Sequence, residues 1–404
     1  MFENILGLER VCADLRRDIS AQQLPRAILL AGPRYNGKSS VALEIARAVS
    51  CHEDASWNCT CHACSLHRTL QHPNTLLLGP RYFSLEVHAA IDAFRNQPRI
   101  GTAYLVIRSV RKLTRRFDQH LWSDARNKKT LPLVENLERL LIEFEEVDGV
   151  LSGSGTIDLS GTTGLLDDIG KEVLRLEHAV PHDPVPVDLV RSIAAWARLT
   201  SAAGPRVVII EEAHSLQEGA RNAMLKTLEE PPDNTFFILT SSRRSAIIPT
   251  IRSRLRIYEV PERPSDIQRD VQQKTFRREE AVPSLREFFR GQGADGDDDW
   301  TPLARDLVAA FERGSSTTPV EHRLRDLLGR VSPRHGAEYF LDALEEEIRL
   351  RLRSDDEEQI PPAVLVRWGE IIGRYWSRID SRNMSPPAVL AGAILAMQAA
   401  AAAR

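Results

Sequence analysis

Ala27-Ile28-Leu29-Leu30-Ala31-Gly32-Pro33-Arg34-Tyr35-Asn36-Gly37-Lys38-Ser39-Ser40 decides how this chain is read. Its first five residues are an apolar run of strand length. The stretch from Gly32 to Ser39 fits G-x-x-x-x-G-K-[ST]. Ser39 to Ala48 then carries apolar residues at helical spacing. Strand, glycine loop and helix thus come in the order that phosphate binding needs. Gly32 and Gly37 let backbone N–H groups turn inward around an anion. The helix N-terminus adds partial positive charge. Lys38 is placed to reach β- and γ-phosphates, and the Ser39 hydroxyl to ligate Mg²⁺. The candidate nucleotide-binding residues are Gly32, Gly37, Lys38, Ser39 and Ser40, and the expected cofactors are ATP and Mg²⁺.

Directly after this helix come Cys51, Cys59, Cys61 and Cys64. Four thiolates so close in sequence suit one tetrahedral Zn²⁺. Polar neighbours (His52, Glu53, Asp54, Asn58) set them apart from core cysteines. Buried free thiols and a disulfide pair are the other readings. No signal peptide is visible and the chain reads as cytoplasmic, which disfavours the disulfide. A four-thiolate site leaves no open position, so the zinc is expected to be structural. His52, His62 and His67 are nearby substitute ligands. Cys12 stands alone and reads as a small core residue.

A second apolar strand, Arg206 to Ile210, ends in Glu211-Glu212-Ala213-His214. Carboxylates at the end of a buried strand are where an NTPase holds Mg²⁺ and polarises water. A helix follows from Gln217 to Glu229, stopped at Glu230-Pro231-Pro232. The next strand, Thr235 to Leu239, ends in Thr240-Ser241-Ser242, whose hydroxyls could sense a γ-phosphate. Ile251-Arg252-Ser253-Arg254 precedes a last strand, Leu255 to Val260.

With these motifs assembled, the chain resembles a bacterial DNA polymerase III clamp-loader AAA+ subunit of the gamma/tau or delta-prime type. Phe2-Glu3-Asn4-Ile5-Leu6-Gly7 is similar to the opening of that family. Leu225-Lys226-Thr227-Leu228-Glu229-Glu230-Pro231-Pro232 and Ser253-Arg254-Leu255 resemble two of its signatures. The resemblance covers about 1–80 and 183–260, with a weaker echo from Asn383 to Leu390. It implies an α/β AAA+ P-loop NTPase core with an inserted zinc module, a small helical lid and an all-α C-terminal collar. It implies that Glu211 assists the metal, Glu212 orients water, Ser241 senses the γ-phosphate (with Thr240 and Ser242 as substitutes), and Arg254 acts on a neighbouring subunit's nucleotide. A guanidinium suits that last task. The implied partners are other clamp-loader subunits in a ring, the sliding clamp and primer–template DNA.

The chain departs from the family in three places. Glu211 stands where the family has Asp, which alters the reach toward a metal that demands near-octahedral coordination. The cysteine spacing is one residue tighter. No Gly-Ser-x-Arg occurs in the lid, and Arg286 is a poor substitute. The leading expectation is an ATPase subunit that loads the clamp. The alternative is a non-hydrolysing delta-prime-type scaffold that donates Arg254. A zinc-dependent nucleic-acid-binding module is a third reading, disfavoured by the ordered motif series.

A chain of 404 residues predicts about two to three domains. The net charge of −3 excludes a broadly basic DNA-wrapping protein. No apolar run is long enough to span a membrane. The domains expected are a core over 1–260 with the zinc module at 51–64, a lid over 261–290, a linker over 291–301 and a collar over 302–404. Within the core, 81–182 reads as a family-atypical insert. Its first part is basic (Arg108, Arg111, Lys112, Arg115, Arg116, Arg126, Lys128, Lys129), and Leu133 to Asp148 is an acidic amphipathic helix. This is either a DNA- or partner-contacting element or a solvated helical hairpin whose arms pair. Charge runs are usually exposed faces, which favours the hairpin. Ser152 to Gly164 reads as a flexible loop. Helices are expected at 303–313, 334–353, 361–379 and 386–403, with Trp368, Tyr375 and Trp376 as packing anchors.

Overall fold

The computed structural model describes residues 1–79, 83–118, 120–121, 129–151, 157, 159–179, 187–199, 204–292, 300–353, 360–382 and 384–402. Arg126, Lys128, Asn383, most of the 291–301 linker and residues 152–156 lie outside these. The described chain divides into two compact units, one ending at Phe289 and one running from Arg290 to the C-terminus.

The first unit is built on a parallel sheet. In chain order its elements begin with α1 (Glu9–Ser20), β1 (Ala27–Ala31), α2 (Lys38–Ser50), α3 (His62–Arg68) and β2 (Thr75–Leu78). Then come α4 (Ser84–Asn96), α5 (Ile100–Thr114), α6 (Leu131–Glu146), α7 (Leu159–Ala179) and α8 (Val187–Ala197). β3 (Arg206–Ile210), α9 (Glu218–Glu229), β4 (Thr235–Ser241), α10 (Pro249–Arg252), β5 (Arg256–Glu259), α11 (Ser265–Lys274) and α12 (Leu285–Arg290) complete it. The strand order is β2-β3-β4-β1-β5. β1 lies parallel to β4 (Leu29 opposite Leu239) and to β5 (Leu29 opposite Ile257). All residues of β1, β2 and β3 are buried, as expected for a parallel sheet covered on both faces. One face packs on α8 and α9, the other on α1 and α2. Because the strands are parallel, the segments after β1, β3 and β4 emerge at one edge. That edge carries the phosphate loop, Glu211-Glu212 and Ser241-Ser242.

The described residues of the 81–182 stretch are mostly helical and largely packed. From Arg108 to Arg116 its basic run is packed rather than a solvated arm. Arg111 and Arg116 are almost wholly buried. Arg108 donates to the carbonyls of His67 and Arg68, and Arg111 to that of Thr69, capping the end of α3. Arg111 also pairs with Glu145 at 2.8 Å and Lys112 pairs with Glu86. The pairing of basic and acidic helices is therefore present, but inside the unit rather than in solvent. The expected loop over 152–164 is corrected from Leu159 onward. Those residues open α7, which packs on α4 and α6 and buries Leu166, Ile169 and Val173. Packing of that apolar face overrides the glycines, which weaken a helix by only about 1 kcal/mol each.

Glu177 of α7 is fully buried and accepts hydrogen bonds from the N–H groups of Phe83 and Ser84, capping α4. Among the described residues its other carboxylate oxygen has no hydrogen-bond partner. Burial pushes its carboxyl up to about 7, against the two N–H donors that pull it down. A folded-state value above the unfolded one stabilises fully below about pH 4.5 and loses that contribution as pH rises through 7. The span corresponds to about 3 kcal/mol. Urea unfolding of the native chain is expected to weaken from pH 5 to pH 8, and Glu177→Gln to flatten that dependence. An unchanged slope in the variant would place the titration elsewhere.

The second unit is helical: α13 (Trp300–Glu312), α14 (Thr318–Arg330), α15 (Pro333–Arg353), α16 (Pro362–Arg382) and α17 (Pro386–Ala402). Trp368 is its anchor, fully buried, with the indole N–H donating to the Met397 carbonyl at 2.9 Å. Among the described residues no helix is long and apolar enough to cross a membrane.

Candidate functional site

The phosphate loop is shaped by close approach and by left-handed backbone. A Cβ on Gly32 would sit 2.0 Å from the Val260 carbonyl oxygen, so only glycine fits. Gly37 is the N-cap of α2 at φ 79°. Tyr35 also has positive φ, 61°, an uncommon conformation for a bulky residue. Its ring stacks on Phe289 of α12, centroids 5.5 Å apart, within an aromatic cluster with Phe276 and Phe288. α12 is thus packed onto the loop. Lys38 is buried and donates to the carbonyls of Gly32 (2.8 Å) and Pro33. Burial holds its ammonium below the usual lysine range, with Arg34 adding to the effect and Glu212 opposing it. Ser39 and Ser40 follow in the first turn of α2 and are partly exposed.

Glu212 faces this loop. It has a left-handed backbone, φ 48° and ψ 49°, a costly conformation of the kind that persists where surrounding structure enforces it. Its N–H donates to the Thr240 hydroxyl, and its carboxylate accepts from the Ser242 hydroxyl at 2.6 Å and the Ser242 N–H at 3.2 Å. His214 Nδ1 lies 3.3 Å from the same carboxylate. Burial pushes the Glu212 carboxyl up, but Lys38, the Ser242 hydroxyl and His214 together hold it below the usual range. Arg34 and Arg243 sit close enough to act electrostatically on Glu212 and on each other.

Glu211 and Ser241 have other partners than the phosphate loop. Glu211 does not join the cluster. Its carboxylate is in a buried ion pair with Arg116 from the short 3₁₀ turn after α5, the two side chains 10% and 1% exposed. Arg116 also donates to the Lys112 carbonyl and lies over the Phe83 ring at 4.3 Å. Ser241 is wholly buried, bonded to His214 Nδ1 at 3.1 Å and accepting from the Arg243 N–H at 3.1 Å. Of the three hydroxyl residues, Ser242 is the one that touches the Glu212 carboxylate.

Sequence reading missed Arg116, Arg263, Arg34 and Arg243. Arg263 is buried, donates to the Leu6 carbonyl at 2.8 Å, and lies so close behind Gly37 that a Cβ there would be 2.6 Å from its guanidinium. Arg34 could have been noted inside the motif. Arg116 and Arg263 give no local signal, because long-range folding brings them in.

Arg254 sits at the other edge of the sheet. It precedes β5, whose Glu259 end lies beside the Ala31 end of β1. The length of β5, about 13 Å of strand, separates it from its own phosphate loop. Its side chain, 30% exposed, pairs with Glu229 and donates to the Thr250 carbonyl at 2.6 Å.

The four cysteines meet. Their Sγ atoms all lie within 4.8 Å of one another, with Cys51 3.6 Å from Cys59 and 3.8 Å from Cys61. A tetrahedral ZnS₄ site with Zn–S near 2.3 Å requires sulfur separations of about 3.8 Å. The donor set therefore fits zinc, and all four cysteines are free thiols. The cluster excludes the histidines; His67 is instead buried and stacked on His72 at 4.2 Å. Burial pushes the Cys61 thiol up, but hydrogen bonds from the backbone and from neighbouring cysteines bring it down to about 6. Arg47 of α2 ties the module to the phosphate-loop helix. It donates to Cys64 Sγ (3.0 Å), to the Ser56 carbonyl (3.0 Å) and to the Ala55 carbonyl (2.7 Å), while paired with Glu44.

The family model described as "DNA polymerase III, delta subunit" matches residues 7–142 and 173–264. The match takes in most of the stretch expected to be atypical and leaves 143–172 outside. The chain is 40% identical over 80 residues to DNA polymerase III subunit delta' of Pseudomonas aeruginosa, covering 20% of this chain and 24% of that one. It is 43% identical over 74 residues to subunit tau of Bacillus subtilis, covering 18% and 13%. The matched stretch thus spans about a quarter or less of the length of these relatives. A solved DNA polymerase III gamma subunit-related protein of Thermotoga maritima aligns over 57% of this chain and 90% of its own at 17% identity, with a TM-score of 0.29, too low to bear on the argument. With more than half of its length matched by the family model, the chain belongs to the DNA polymerase III delta subunit family.

Proposed function

We propose that this chain is a clamp-loader subunit with an AAA+ core that holds a nucleotide in its own site without rapid turnover and completes a neighbour's site with Arg254. The carrying observation is the buried Arg116–Glu211 pair. Mg²⁺ in a nucleotide site is usually held by one or two carboxylates plus phosphate oxygens. Here one of the two is occupied by an internal cation, so the residues present do not fit the metal expected from the sequence. Lys38, Ser39, Ser40 and the loop backbone take the phosphates. Glu212, oriented by Ser242, is the remaining carboxylate that faces them. Cys51, Cys59, Cys61 and Cys64 hold Zn²⁺, which crosslinks the module and takes no part in turnover. The partners are other clamp-loader subunits, the sliding clamp and primer–template DNA, in the cytoplasm. The C-terminal helical unit serves as the oligomerisation collar.

The motor reading needs Glu211 at the metal, so the two readings separate in one assay. In the reconstituted loader with clamp and primed DNA, Lys38→Ala in this chain is expected to leave ATP turnover within about twofold. A loss of an order of magnitude would make this chain a motor subunit.

A further inference from the structure

We propose that Arg263 is a phosphate ligand of the nucleotide site, reaching the bound nucleotide from the segment between β5 and α11. The proposal deepens the nucleotide-holding reading above and rests on it. Arg263 is 6% exposed. Arg47, Arg111 and Arg116, the described arginines buried as deeply, are each paired with a carboxylate. Arg263 has no such pair among the described residues. Its Nε donates to the Leu6 carbonyl at 2.8 Å, and its Nη1 makes only a long contact, 3.5 Å, with the Tyr35 carbonyl. Its Nη2 makes no hydrogen bond among the described residues. Nη2 is also the atom nearest Gly37, 2.6 Å from where a Cβ would stand. Burial pulls the guanidinium below the usual arginine range, opposed by the Cys12 thiol and by Glu9, an exposed residue of α1. A buried charge is costly unless it is paired, so the partner missing from this one is an anion.

The surroundings of Nη2 indicate which anion. Gly37 is the N-cap of α2, a helix of 13 residues. The first N–H groups of such a helix have no partner within it and take phosphate oxygens. A phosphate on those groups lies against Gly37, the residue that Nη2 faces. The planar guanidinium can then give two parallel hydrogen bonds to that phosphate. The backbone that carries Arg263 is held in place beforehand. The Arg263 carbonyl accepts from Gln268 Nε2 at 2.8 Å, and Gln268 Oε1 accepts the Leu285 N–H at 2.9 Å. Ile267 packs so closely on Gly7 that a Cβ there would be 2.3 Å from its Cγ2. The cation is thus already at the loop, and a ligand need not order it.

The full chain is titrated calorimetrically with ATP and with sodium tripolyphosphate, which carries the phosphates and no base. Both are expected to bind the native chain, and Arg263→Gln to weaken both by about thirtyfold. Loss confined to ATP would make Arg263 a base contact or a tie between segments and overturns the proposal. So does ATP binding by a native chain that ignores tripolyphosphate. Unchanged affinity of Arg263→Gln for both ligands overturns it while leaving the nucleotide-holding reading intact. A native chain that binds neither ligand removes that reading as well. If Arg263→Gln does not fold, hydrogen exchange on the native chain decides. Tripolyphosphate is expected to slow exchange over 263–268 as well as over 34–40, and protection confined to the loop overturns the proposal.

Discussion

Arg254→Ala is expected to lower ATP turnover of the assembled loader about a thousandfold at the site it completes, while the isolated variant melts as the native chain does. The size of the effect follows from what a guanidinium does for phosphoryl transfer. Charge develops on the transferring group, and an arginine supplied from a neighbouring subunit is worth roughly 10³–10⁵ in rate. The direction in space follows from the sheet. Arg254 precedes β5 and cannot reach the loop after β1, because the parallel register puts the two at opposite ends. The unaffected melting follows from exposure. The side chain is 30% exposed and pairs with Glu229, itself 47% exposed, and such pairs contribute about 0–1 kcal/mol. Arg254→Lys is expected to recover little, since an ammonium lacks the planar fork. A turnover within threefold of native in the Arg254→Ala assembly would leave this chain as a scaffold alone.

Much of the architecture was legible because it is locally encoded. The apolar runs at 27–31, 206–210 and 235–239 are strands, and their chain order with the glycine loop predicts a parallel sheet with the motifs at one edge. The cysteine cluster was legible for the same reason, since four ligands within one short segment need no long-range folding to meet. What stayed hidden was long-range. Arg116 lies 95 residues from Glu211 in sequence, and in isolation it belongs to a basic run that reads as a solvated face. It is buried in the turn after α5 against Glu211 and the Phe83 ring, neighbours that periodicity does not reveal. Ser241 and Ser242 show a finer limit. β4 ends at Ser241, so Ser242 has already left the strand; the Ser241 hydroxyl is buried against His214 while that of Ser242 meets Glu212. Sequence gives the pair but not which side faces the loop. α14 went unnamed because Val320, Leu324, Leu327 and Leu328 make a sparse apolar stripe among charges.

Removal of zinc is expected to destabilise the first unit by several kcal/mol and to lower its melting temperature by on the order of 10 °C, with the loss beginning at the cysteine module. Four thiolates within 4.8 Å are a liability without a cation, because they repel one another as they ionise. With zinc the same geometry crosslinks 51–64, a segment with few regular hydrogen bonds of its own. The damage should spread through Arg47. That guanidinium spends its donors on Cys64, Ser56 and Ala55 of the module and on Glu44 of α2. Glu44 in turn accepts the Phe2 N–H. Collapse of the module therefore loosens both the C-terminal half of α2 and the N-terminal segment. The Lys38 end of α2 lies about 13 Å along the helix from Arg47 and is held separately by Gly32 and Pro33. Hydrogen exchange on a Cys59→Ser, Cys61→Ser chain is thus expected to show faster exchange over 51–72 and the end of α2, with the start of α2 still protected. Metal analysis of the native chain should find one zinc. Uniform loss of protection across the whole unit would mean that the module is integral to the sheet's folding, and unchanged protection would mean that the cysteines hold no metal.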